Sequence, residues 1–104
     1  MMTETPLRRG LAPLHPGALL REDVLPALDR PVTEVAKLLR VSRQTLHALL
    51  REEQPVTPAM ALRLGKLCGN GPELWLNLQA KHDLDRLGRE MAADLAEIPT
   101  LNAA

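Results

Sequence analysis

The sequence predicts an all-α fold in which five helices build one domain and the last runs on into a C-terminal helical extension. Three observations carry that expectation. A chain of 104 residues suits a single core. Its apolar content is almost wholly aliphatic, with no Phe or Tyr and one Trp, whereas strand-rich chains lean on aromatic and β-branched residues. Apolar residues also recur at helical spacing between recognisable start and stop signals.

The first helix opens at Pro16, whose missing N–H suits the first helical position, and runs through Leu19, Leu20 and Val24 towards Leu28. Pro26 is expected to shorten or kink its end. Asp29, Arg30 and Pro31 make a turn, and the second helix then covers Val32–Leu39 with Val35, Ala36 and Leu39 on one face. Ser42 is the expected N-cap of the third helix, which turns Leu46, Leu49 and Leu50 inward and Arg43, Gln44 and His47 outward. Two helices joined by so short a turn form a helix-turn-helix, and the small Ala36 lets them approach closely.

Thr57 and Pro58 start the fourth helix, leading into Met60, Ala61, Leu64 and Leu67 with Gly69 as the stop. Gly71, Pro72 and Glu73 restart the chain, with Glu73 near the positive end of the helix dipole. Leu74, Trp75 and Leu78 are expected in the core. Leu84, Leu87, Met91 and Leu95 form a further apolar stripe on a helix that either is long or breaks near Gly88, and this amphipathic stretch either wants a partner or is a solvated, frayed tail. The expected organisation is a flexible arm at 1–14, the helix-turn-helix domain at 15–80, the extension at 81–98 and a tail at 99–104.

Net charge is zero, but it is unevenly spread: residues 1–29 sum to −1, residues 30–66 to +4 and residues 67–104 to −3. Positive charge gathers around the helix-turn-helix, as an electrostatic footprint for phosphate requires. The single Cys68 excludes an intramolecular disulfide and is expected as a small core residue. His15, His47 and His82 sit in unrelated contexts, so neither a metal site nor a cofactor is expected. With no glycine-rich phosphate loop and no nucleophile beside a base, the chain is not expected to be an enzyme or to take a small-molecule substrate. No apolar run approaches the ~20 residues that cross a bilayer, so no membrane association and a cytoplasmic location are expected.

The segment from Val41 to Thr45 is the most informative. A helix that enters the major groove needs long donor-bearing side chains at its first turn, and its own N-terminal amides can meet a phosphate. Arg43 suits a guanine edge and Gln44 an adenine edge. Thr45 can reach a phosphate or a thymine methyl, and His47 lies one turn further along. The competing interpretation is that these side chains are simply a solvated face.

Several stretches together resemble one known family: His15-Pro16-Gly17, Leu20-Arg21-Glu22, Val32-Thr33-Glu34, Val41-Ser42-Arg43-Gln44-Thr45-Leu46, Thr57-Pro58, Met60-Ala61-Leu62-Arg63-Leu64, and Pro72-Glu73-Leu74-Trp75-Leu76-Asn77-Leu78-Gln79. In this order they look like the HigA antitoxins, lambda-repressor-like helix-turn-helix proteins encoded beside a toxin. The resemblance covers residues 15–98. It implies a homodimer that binds palindromic operator DNA in its own promoter. It also implies binding to a HigB-like toxin, a ribosome-dependent mRNA nuclease.

The recognition role carries over onto Arg43, Gln44, Thr45 and His47, and supporting phosphate contacts onto Thr33, Ser42, Arg51 and Gln54. Ala18 stands where the family usually has Glu. Arg40 stands where it usually has Gly, at an expected cost of about 1 kcal/mol if the backbone there is left-handed. Glu52 and Glu53 replace an Asn-Gly turn and basic residues, and two carboxylates beside DNA are expected to oppose binding. The acidic C-terminal third would suit a basic toxin. Two alternatives remain open: a plain dimeric repressor without a toxin, and an interaction module that has lost DNA binding.

Overall fold

A computed structural model describes residues 13–102. The expected arm at 1–14 therefore falls outside the described residues except for its last two positions, and the end of the tail does too. Among the described residues there are six helices and no strand.

Helix α1 spans residues 16–28 and has an unusual middle, because α-helical Pro16–Leu19 passes into a π-helical stretch, Leu20–Val24, before α-helical Leu25–Leu28. Pro26 explains it. Proline has no N–H to offer the carbonyl four residues back, and the widened turn places the Leu25 N–H on the Leu20 carbonyl instead. The proline is thus absorbed within the helix, which ends at Leu28 with Asp29 left-handed at φ 53°.

Helix α2 (Val32–Leu39) and helix α3 (Arg43–Leu50) meet across a turn in which Arg40 is left-handed, with φ 62°. The Val41 N–H bonds the Ala36 carbonyl at 3.0 Å and the Arg40 N–H bonds the Lys37 carbonyl at 3.0 Å, which closes the end of α2. Helix α4 (Pro58–Cys68) is capped by Thr57, whose hydroxyl accepts from the Met60 N–H at 3.2 Å, and stops at left-handed Gly69. Helix α5 (Pro72–Glu90) runs straight through Gly88 and yields at Met91 to a short α6 (Ala92–Ala96). Of the two expected alternatives the long helix is the one found, and it runs on past Gly88 to Glu90.

The core is a single cluster of Leu20, Val35, Leu39, Leu46, Leu49, Leu64, Trp75 and their neighbours. Trp75 is 0% exposed, and its indole N–H donates to Asn70 Oδ1 at 3.1 Å. The expectation for its flanks needs correcting. Leu74 faces solvent and Leu78 is only half-buried, while Gln79, one turn from Trp75, is buried instead. Gln79 is paid for by full hydrogen bonding: its Oε1 accepts from the Val56 N–H at 2.7 Å and its Nε2 donates to Asp83 at 3.1 Å.

One close approach sets where α3 lies. A Cβ on Gly17 would stand 2.0 Å from the Leu49 carbonyl oxygen, so the start of α1 rests directly on the end of α3.

Candidate nucleic-acid interface

Helix α3 is held at both ends. At its start, Ser42 Oγ accepts from the Thr45 N–H at 3.0 Å and donates to Thr45 Oγ1 at 2.9 Å. This cap fixes the first turn from which Arg43 and Gln44 project. At its end, Arg21 on α1 donates to the Leu50 carbonyl at 2.7 Å. The partner helix has a matching device, since Arg63 on α4 donates to the Leu39 carbonyl at 2.8 Å. Each guanidinium meets a carbonyl that helix geometry leaves unpaired and brings positive charge to the negative end of a dipole. Sequence reasoning missed both, because the partners are 29 and 24 residues apart.

With α3 fixed, Leu46, Leu49 and Leu50 are buried beneath it, and Arg43, Gln44 and His47 are exposed above. Arg43, Gln44, His47 and Arg51 line one shallow depression. Their spacing of three and four residues explains why they share a face. Thr45 and Ser42 belong to the cap at the same end. Thr33 lies in a separate depression with Pro31, Glu34 and Lys37, and Gln54 in another with His15, Gln79, His82 and Asp83. The structure therefore gathers Arg51 with Arg43, Gln44 and His47 and leaves Thr33 and Gln54 apart from them.

Glu52 and Glu53 have partners. The left-handed Glu52, at φ 63°, completes the α3 terminus, with its N–H on the Leu49 carbonyl and that of Glu53 on the Ala48 carbonyl, both at 2.9 Å. The Glu52 carboxylate meets Arg21 at 3.1 Å, and that of Glu53 meets Arg51 at 3.1 Å. Each of the two carboxylates thus faces a guanidinium, although Arg21 is shared with Glu22.

His15 and His82 were expected to be unrelated, yet their rings meet edge to face with centroids 4.9 Å apart. His15 is buried and caps α1, its Nδ1 accepting from the Gly17 N–H at 2.9 Å. Burial, and then the neighbouring His82, push its pKa below the ordinary histidine value. Burial opposes ionisation of Asp83, but hydrogen bonds from His82 and Gln79 outweigh it and hold the carboxyl below its ordinary range. Cys68 is half-buried against the core, and burial pushes its thiol up. Among the described residues no three His, Cys, Asp or Glu side chains cluster as metal ligands, and no helix is long and apolar enough to cross a membrane.

No family model matches the chain. Among curated proteins, virulence-associated protein A' of Dichelobacter nodosus is 41% identical over 81 residues, covering 77% of this chain and 70% of the relative. Among solved structures, the Pseudomonas aeruginosa antitoxin HigA with the higBA promoter superposes with a TM-score of 0.80 at 31% identity, covering 86% of this chain and 99% of that one. The chain belongs to the HigA family. The antitoxin GraA in complex with its operator is similar too, with a TM-score of 0.82, 34% identity and coverage of 90% and 96%. These HigA-like matches bear out the all-α, lambda-repressor-like expectation, and they extend over α5 as well as over the helix-turn-helix. Proteins of this HigA group are antitoxins and transcription regulators, not enzymes.

Proposed function

We propose that this protein is an antitoxin that represses its own operon by sequence-specific operator binding and neutralises a HigB-like toxin through a separate surface. The observation that supports DNA recognition best is the shared depression of exposed Arg43, Gln44, His47 and Arg51 on a capped, doubly clamped helix. Arg43 takes a guanine edge and Gln44 an adenine edge. Thr45 and His47 extend the contact along the groove, while Ser42, Thr33, Arg51 and Gln54 serve the backbone phosphates. Relatives solved with a promoter or an operator support that assignment.

The protein acts as a cytoplasmic homodimer on a palindromic site. Exposed Leu84, Leu87, Met91 and Leu95 on α5 and α6 offer the contact surface for a second copy or for the toxin. The acidic surroundings of that stripe suit a basic toxin.

The test is a titration of the protein against its own upstream promoter DNA at two salt concentrations, repeated with the product of the adjacent gene. Salt-sensitive, sequence-specific binding that changes when the neighbour is added is the expected result. Specific binding indifferent to the neighbour would leave a plain repressor. Absence of specific binding at either salt would leave the fold as an interaction module.

A further inference from the structure

We propose that the groove between the end of α2 and α4 is a second DNA-backbone surface, gripping phosphates beside the site that α3 occupies. The proposal rests on operator binding by α3. Arg40, Arg63 and Lys66 line this groove together with Leu38, Leu39 and Leu67. Lys37 lines the depression with Thr33 and directly precedes Leu38, which lines this groove.

These cations differ from others on the surface. Arg21, Arg30, Arg51, Arg86 and Arg89 each face a carboxylate within ion-pair distance. Lys37, Arg40, Arg63 and Lys66 have no such partner among the described residues. Arg63 also donates to the Arg40 backbone carbonyl at 3.4 Å, which ties its guanidinium to the turn that carries Arg40. Cations gathered along one groove repel, and an anion laid among them relieves the repulsion. Arg40 moreover occupies a left-handed position that glycine would take without strain, and strain of this kind gathers at functional sites.

Continuity selects the anion. Arg40 lines the groove and lies in the turn that joins α2 to α3, three residues before Arg43 opens α3, so the groove ends where the helix proposed to read DNA begins. A duplex seated on α3 continues past it, and its closely spaced phosphates match a group of unpaired cations better than an isolated carboxylate does.

The experiment uses the full chain, a duplex of its upstream promoter and an unrelated duplex of equal length, with affinity measured across a salt series. The variants are Lys37→Gln, Lys66→Gln and Arg40→Gly. Each is expected to reduce the slope of log affinity against log salt by about 0.9, which is roughly an eightfold loss at 0.1 M relative to 1 M, and to do so on both duplexes alike. Arg40→Gly is expected to keep or raise the thermal midpoint while losing affinity, which separates phosphate contact from damage to the fold.

Unchanged slopes in all three variants, with promoter binding intact in the wild type, overturn this proposal alone. Failure of the wild-type chain to bind either duplex overturns the operator assignment and this proposal together.

Discussion

Arg43 stands immediately after the cap of α3, exposed and without a carboxylate partner among the described residues. An arginine so placed is free to spend its donors on a base edge. Arg43→Ala is expected to weaken operator binding by about 1–3 kcal/mol and to relax specificity at one base pair, measured by competition among single-base variants of the site. Undiminished affinity would remove Arg43 from the recognition set.

His15 makes a prediction of another kind, because its Nδ1 must stay unprotonated to accept the Gly17 N–H. Its pKa is lowered in the folded chain, so as pH falls the unfolded chain takes up the proton first. The stabilisation is present above the unfolded value of about 6.5 and is lost as pH falls below it. Thermal midpoints recorded from about pH 7.5 to about pH 5 should fall on the acid side. His15→Asn, which keeps an accepting cap and does not titrate there, should flatten that fall; an equal acid dependence in the variant would point to another group.

At the scale of elements, the helix-turn-helix owes its geometry to side chains outside it. Arg63→Met keeps the apolar stem but leaves the Leu39 carbonyl without its guanidinium, and should lower unfolding stability by about 1–2 kcal/mol in urea titrations. A change within error would mean that water replaces the donor at no cost. The caps at Ser42 and Thr57 and the stop at Gly69 were legible in the sequence because each is a local signal, settled within about one helical turn. The Arg21 and Arg63 clamps and the His15–His82 contact were not, since they join residues far apart in the chain.

Periodicity also gives a stripe without fixing its phase. Leu74, Trp75 and Leu78 and the pair Trp75 and Gln79 fit a helix equally well, and only packing against α4 and the Val56 amide chose the second. Gly88 left the helix length open for a related reason. Nothing crowds it, and the ion pairs Arg89–Asp85 and Arg86–Glu90 bracket it and help carry the helix across. In the proposed recognition site, the shared face of Arg43, Gln44 and His47 was legible by spacing alone, whereas the separation of Thr33 and Gln54 from them depends on how the turns fold.

Over the whole molecule, α5 and α6 carry the shape outward to principal extents of 50 × 34 × 26 Å. Their apolar stripe stays open, with Leu84 72% and Leu95 45% exposed. If the stripe joins two copies, Leu84→Glu combined with Leu87→Glu should convert the dimer to a monomer in sedimentation experiments and sharply weaken operator binding. A dimer that survives both changes would place the interface elsewhere. A dimer also implies half-sites about one duplex turn apart, or a multiple of it, which a footprint on the promoter measures directly. A footprint over a single half-site would contradict it.

Trp75 is the chain's one aromatic residue besides the histidines, and it projects from α5 into the core, fully buried. Intrinsic fluorescence therefore has a single source, and that source reports water entering the core rather than a duplex arriving against Arg43 and Gln44. Circular dichroism, by contrast, sums every helix, including α6, which has no buried residue. A melting curve followed by both signals would show coincident transitions if the extension unfolds with the core, and a dichroic loss ahead of the fluorescence change if it frays on its own.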